Sequence, residues 1–165
     1  MTELRGERVV LRHATAANVD AIAAVIAEPE VARWWGEHDT AQGLIDDPTV
    51  ETFAIEVGGQ VAGVLLVSEE SDPEYRHAAL DISLATRFQD QGLGREALRL
   101  VIDHLAEERG HHRFTIDPAA DNERAIRCYR AVGFKPVGVL RRYWRDPAGV
   151  WRDGLLMDLL ADERL

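Results

Sequence analysis

The chain has 165 residues, 46% of them hydrophobic and 29% charged, the proportions of one soluble domain with a sizeable core. Its 19 basic and 29 acidic residues leave a net charge of −10; this disfavours nucleic acid, whose binding needs Lys and Arg against phosphates, and suits a cationic partner. A single cysteine, Cys128, excludes an internal disulfide and a cysteine-built zinc cage, no apolar run approaches a membrane span of ~18–20 residues, and the N-terminus lacks an apolar signal-peptide core, so a cytoplasmic single domain over residues 1–165 is expected.

Arg8 to His13 reads as a first strand. Thr15 can cap a helix over 16–27, where Val19, Ile22, Ala23 and Ile26 recur at helical spacing. Pro29 interrupts that helix, a short helical piece is expected to carry Trp34 and Trp35, and a second short helix is expected over 40–46. Phe53 to Val57, Gly58-Gly59 and Val61 to Val67 form a hairpin signal, and residues 76–84 continue as a strand with Ala79, Leu80, Ile82 and Leu84 apolar. A long helix over 92–109 carries one stripe of Leu93, Ala97, Leu98, Val101, Ile102 and Leu105, and Gly110 stops it. His112 to Ile116 is a strand; Asp121 or Asn122 caps a helix through Ala131, ended by Gly133. Val137 to Tyr143 and Val150 to Leu160 read as a last hairpin whose turn contains Asp146-Pro147-Ala148-Gly149. The order predicts a mixed α/β domain around a central, mainly antiparallel sheet.

Gln89-Asp90-Gln91-Gly92-Leu93-Gly94 lies between a strand and the long helix. The first turn of a helix has N–H groups without intrahelical partners, and the helix dipole makes that end positive. Gly92 and Gly94 leave room for a pyrophosphate to approach those groups, and Arg95 adds a cation. A Walker loop is excluded by the missing Lys-Ser/Thr, and a Rossmann fingerprint by the missing third glycine.

This stretch resembles the phosphate signature Gln/Arg-x-x-Gly-x-Gly/Ala of the GNAT superfamily of acetyl-CoA-dependent N-acetyltransferases, through Gln89, Gly92 and Gly94. Asn122-Glu-Arg-Ala-Ile-Arg-Cys-Tyr129-Arg-Ala-Val-Gly-Phe134 is similar to a second landmark of that superfamily, the Asn…Ala…Tyr…Gly-Phe helix. The resemblance implies a central, mainly antiparallel sheet with a splayed parallel pair, flanked by helices. The strand ending near Leu84 would part from the strand ending near Asp117, with the pantetheine arm of acetyl-CoA, the co-substrate, in the gap. Gln91, Gly92, Leu93, Gly94 and Arg95 would hold the pyrophosphate, and Asn122 would touch the arm. Tyr129 would face the CoA sulfur as general acid, a role open to a phenol and placed on the same helix face as Asn122 by the i, i+7 spacing. Cys128 lacks an adjacent His or cationic pair and reads as a packing residue. No metal is expected; His111-His112 reads as a polar strand entry.

Asp117-Pro-Ala-Ala-Asp-Asn-Glu-Arg-Ala-Ile-Arg-Cys-Tyr129, Trp34-Trp35-Gly36 and Asp81 in Ala-Leu-Asp-Ile-Ser-Leu further resemble the aminoglycoside 6'-N-acetyltransferases. That resemblance implies a polycationic small-molecule acceptor. Asp81 would take the proton from the attacking amine, directly or through water. Asp117 would bind a neighbouring ammonium, with Asp146 and Asp153 available for others. Trp34 or Trp35 would wall a sugar ring or cover an ammonium. The C-terminal strand is equally similar to relatives that acetylate protein N-termini or other small amines, and a non-catalytic acetyl-CoA sensor is a third reading. Monomer and homodimer both remain open.

Overall fold

A computed structural model describes residues 3–35 and 40–164 of the chain; Gly36 of the Trp-Trp-Gly motif lies outside them. Strand alternation organises the core. In β3 (Glu51–Val57), Phe53 and Ile55 face one layer while Ala54 faces the other, and β4 (Gln60–Glu70) divides Leu65 and Val67 from Val64 in the same way. With both faces covered, these strands read as nearly continuous apolar runs.

Eight strands form one sheet in the order β1-β2-β3-β4-β5-β6-β8-β7. The remaining strands are β1 (Glu3–Arg5), β2 (Val9–His13), β5 (His77–Leu84), β6 (Arg113–Ile116), β7 (Lys135–Arg145) and β8 (Trp151–Leu160). All neighbours pair antiparallel except β5 and β6. The fold is the expected mixed α/β domain. One face carries α4 (Leu93–Glu107) and α5 (Glu123–Val132), whose apolar residues join Leu11, Phe53, Leu65 and Leu80 in the larger core. The other carries α1 (Val19–Ala27) and α3 (Ala41–Asp46), packed on Ala54 and Val64, with α2 (Pro29–Ala32) against α1. Among the described residues no helix is long and apolar enough to cross a membrane.

β4 and β7 run up to three residues longer at their ends than expected, and three further differences stand out. β1 was not foreseen; it is three residues long and depends on cross-strand pairs such as Leu4 with Leu11, which no local periodicity announces. The turn after Thr15 is a 3-10 turn over Ala16–Asn18, and α1 begins only at Val19. The tandem tryptophans do not ride on a helix: α2 ends at Ala32, and Trp34 and Trp35 follow it in turns bonded to Val31 and Ala32 carbonyls.

Two local devices fix the strand that lines the site. Ala62 is the extra residue of a β-bulge, since Ile55 pairs with Gly63 and Glu56 with Val61. Its carbonyl accepts the Ala85 N–H at 2.8 Å, continuing the β4–β5 pairing past Leu84. Gly63 then lets the two backbones approach: a Cβ there would lie 2.2 Å from the Ser83 carbonyl oxygen. At the far end of α4, Arg109 donates to Glu51 at 2.6 Å and 2.9 Å and also to Glu69, tying that end to β3 and β4. Gly63→Ala is expected to lower stability by about 1–3 kcal/mol through this overpacking, measured by urea unfolding.

Candidate active site

β5 and β6 pair only at Ala78 with Phe114 and Ala79 with Thr115. Beyond those two pairs the strands part, and a cavity of ≈ 660 Å³ opens between them. Ile82, Ser83 and Leu84 line one wall, and Ile116, Asp117 and Pro118 the other. Leu80, Ile82 and Leu84 point toward α4, so alternation turns Asp81 toward the layer of α1 and α2. The gap thus connects the two faces of the sheet.

At one end lies the start of α4. Gly92 is its N-cap at φ 77°, a left-handed conformation that suits glycine. The first intrahelical bond runs from Glu96 N–H to the Gly92 carbonyl at 3.1 Å, so the Leu93, Gly94 and Arg95 N–H groups precede it. The turn is braced on three sides. The Gln89 amide donates to the Leu84 carbonyl at 2.9 Å and its oxygen accepts from Arg124 of α5. Gln91 donates to the Arg87 carbonyl at 2.8 Å, and its own carbonyl accepts from Arg8 at 2.8 Å. Glu96 accepts the backbone N–H groups of Arg8 at 2.7 Å and Val9 at 2.9 Å, fastening α4 to β2. Arg95, Arg124 and Arg127 line this end of the cavity. Free helix N–H groups, a left-handed glycine and three guanidinium groups make a suitable cradle for a phosphorylated cofactor.

At the other end are the carboxylates. Asp81 is exposed and accepts the Ile82 N–H at 2.9 Å. Asp117, just past β6, accepts a hydrogen bond from the Tyr143 hydroxyl, and that bond together with partial burial pushes the Tyr143 phenol up to about 12. Tyr129, on α5, is buried between the two ends. Burial first, then the nearby Asp81, Cys128 and Asp117, hold its hydroxyl well above the ordinary phenol range, so it stays protonated at neutral pH. The Cys128 thiol is raised by burial, opposed by Arg95, and so is not poised as a nucleophile. Trp34, Trp35 and Glu30 close the cavity from α2 and the turn after it.

Of the residues singled out from sequence, Trp34, Trp35, Asp81, Leu84, Gln89, Gly92, Leu93, Gly94, Arg95, Asp117, Asn122 and Tyr129 all line this one cavity. Asn122 also caps α5, its side chain accepting the Ala125 N–H at 3.3 Å. Gln91, Asp146 and Asp153 do not line it. Gln91 braces the turn from behind. Asp146 is used within its own hairpin, accepting from Val150 N–H and the Arg152 guanidinium, each at 2.9 Å. Asp153 accepts the Arg142 N–H at 2.8 Å. The sequence reading missed Glu30, Arg124, Tyr143 and Trp144 as lining residues. Arg124 sits two residues after the Asn122 cap and one helical turn before Cys128, a spacing that puts it on the cavity face.

A helix N-terminus with arginines, joined through the sheet to a pocket of carboxylates and aromatic side chains, suits a transferase that brings two substrates together. Residues 8–135 match the acetyltransferase (GNAT) domain family, and the chain belongs to it. That family uses acetyl-CoA. The chain is 25% identical over 142 residues to the L-amino acid N-acetyltransferase AaaT of Escherichia coli (strain K12), covering 82% of this chain and 88% of that protein. It is 28% identical over 133 residues to the aminoglycoside N(6')-acetyltransferase type 1 of Klebsiella pneumoniae, covering 67% of this chain and 65% of the relative. Among solved structures, an acetyltransferase from T. thermophilus superposes with a TM-score of 0.86 at 27% identity, over 98% of this chain and 90% of that one.

Gly92→Val tests the cradle. A branched residue at φ 77° is strained by roughly 1–2 kcal/mol, and its Cβ would lie 3.3 Å from the Arg8 guanidinium. Calorimetry is expected to show a folded protein that no longer binds CoA. Gly94→Ala is the milder variant: its Cβ meets Leu84 and Cys128 at 3.5 Å and 3.6 Å, ordinary contacts, so the fold should be kept and CoA affinity should fall less than with Gly92→Val.

Proposed function

We propose that the protein transfers an acetyl group from acetyl-CoA to a primary amine of a polycationic small molecule, the 6'-amine of an aminoglycoside being the first candidate. The observation that carries this reading is the pair of carboxylates, Asp81 on β5 and Asp117 in the loop just past β6, with the Tyr129 hydroxyl within their field. Two carboxylates in one pocket favour an acceptor with more than one ammonium. The tryptophans offer flat walls to a sugar ring or a cation face. An aminoglycoside-acetylating relative supports the same acceptor.

Bound acetyl-CoA supplies an activated acetyl thioester. Leu93, Gly94 and Arg95, with Arg124, would hold its phosphates, and Asn122 and the exposed edge of β5 its arm. Asp81 takes the proton that an ammonium must lose before its nitrogen can attack. Tyr129 holds a proton beside the place where the sulfur leaves. Direct transfer between the two substrates fits the raised Cys128 thiol, which leaves no activated nucleophile for a covalent route.

A second reading, acetylation of an amino acid or of a protein N-terminus, is favoured by the 88% coverage of the L-amino acid N-acetyltransferase relative. Free thiol release from acetyl-CoA separates the two. Kanamycin-type compounds should be turned over, and analogues with a 6'-hydroxyl should not; release with amino acids or peptides alone would reject the polycation. A folded chain that binds acetyl-CoA yet releases no thiol with any amine would be a sensor.

Asp81→Asn is expected to lower kcat near neutral pH by roughly 10²-fold or more, the usual contribution of a general base, with CoA affinity kept. Its rate should recover as pH rises and the amine loses its proton to solvent. An unchanged neutral-pH rate would remove Asp81 from the mechanism.

A further inference from the structure

The β7–β8 hairpin carries an irregularity beside the cavity. Between the pairs Leu140–Gly154 and Trp144–Arg152, β7 advances four residues while β8 advances two. Within this bulge Arg142 adopts φ 48°, a left-handed conformation that a non-glycine residue keeps only when its surroundings hold it. Asp153 holds it: one carboxylate oxygen accepts the Arg142 N–H at 2.8 Å, and the Asp153 carbonyl accepts the Trp144 indole N–H at 3.3 Å.

The bulge lays the ring of Tyr143, itself 48% exposed, over Gly154. A Cβ on Gly154 would lie 2.8 Å from Tyr143 Cδ2 and 3.4 Å from its Cγ, so the ring rests where a side chain would otherwise stand. From that seat the Tyr143 hydroxyl donates to Asp117 Oδ2. The loop carrying Asp117 is itself zipped to β8, with Leu155 N–H on the Pro118 carbonyl at 2.8 Å and Ala120 N–H on the Asp153 carbonyl at 2.9 Å. No ion pair to Asp117 occurs among the described residues. A phenol therefore fixes this carboxylate while leaving its charge unneutralised, which an arginine would not do.

We propose that Asp153, Gly154 and Tyr143 act as one positioning unit that holds the Asp117 carboxylate in a single orientation for an ammonium group of the acceptor. The proposal rests on the acetyl-transfer reading and assigns Asp153 and Tyr143 to acceptor recognition, through Asp117, with no part in holding acetyl-CoA.

The test compares wild type with Tyr143→Phe, Asp153→Ala, Asp153→Asn and the double variant Asp153→Ala/Tyr143→Phe. Steady-state constants are measured for acetyl-CoA and for the best amine of the panel. Tyr143→Phe should raise the amine KM roughly tenfold, the scale of one hydrogen bond to a charged group, and leave the acetyl-CoA KM unchanged. Asp153→Ala should do the same, the double variant should be no worse than either single, and Asp153→Asn, which keeps an oxygen for the Arg142 N–H, should stay near wild type. The unit is overturned if Tyr143→Phe leaves the amine KM unchanged, if the two effects multiply, or if the acetyl-CoA KM moves as much. Tyr143→Phe alone decides if Asp153→Ala does not fold. A wild type that releases no thiol with any amine defeats the transfer reading instead. Calorimetric titration of spermidine and kanamycin into wild type and Tyr143→Phe then decides the unit: weaker binding to the variant supports it, and equal or absent binding to both overturns it.

Discussion

The site depends on how little of β5 is paired to β6. Two residue pairs hold the parallel contact, and from Leu80 onward the sheet is open in its interior. Backbone N–H and C=O groups inside a sheet need partners, and the edges bared here are far from the sheet's natural borders. The surroundings keep the gap from closing. β5 is drawn toward β4 by the Ala62 bulge and the Gly63 approach, while β6 is drawn toward β8 by antiparallel pairing from Arg113 to Ile116. Two pulls in opposite directions leave a slot through the sheet, whose bared edges suit a ligand bearing amides.

The slot separates two electrostatic environments. Arg95, Arg124 and Arg127, with Asp90 among them, line it around a helix N-terminus, and Asp81, Asp117 and Glu30, with Arg145, line the rest. The net charge of −10 cannot distinguish these, because it sums over a surface whose local signs differ. Under the proposed transfer, an anionic donor and a cationic acceptor would each meet complementary charge along this slot, which Tyr129 also lines. Arg124 shows how the cationic end is kept in order: it also pairs with Asp90 at 3.5 Å, in the strained turn it helps to build.

The turn into α4 and the start of α5 were legible in the sequence because they are local. Gly92 at positive φ, the α4 stripe and the Asn122 cap are set by neighbours a few residues away, and all appear as spacing. β1 was not legible, since three residues hold no period and only Leu11 across the sheet explains Leu4. The acidic residues of the last hairpin were misplaced for a physical reason. Asp146 opens an Asp-Pro-x-Gly turn, so its role as an acceptor for Val150 N–H was a local signal outweighed by the expectation of a ligand. Asp153 gave no such signal, because its partner Arg142 belongs to a bulge created by non-local register. Tyr143 escaped notice for the same reason: its seat on Gly154 exists only once both strands are paired.

The segment that matches the family ends at residue 135, where β7 begins. The donor cradle, Asp81, Asp117 and Tyr129 lie within it, whereas Tyr143, Trp144 and Arg145, which finish the cavity wall, lie beyond it. β7 is an edge strand with an exposed outer face, Val137 and Val139 among it, so its register and bulges are constrained by one neighbour only. A wall built from such a strand can be reshaped by small changes in pairing without disturbing the phosphate turn or the parted strands. The cavity wall is therefore shared between the matched segment, which holds Asp81, Asp117 and Tyr129, and an edge strand outside it, and family membership constrains the reaction more tightly than the amine.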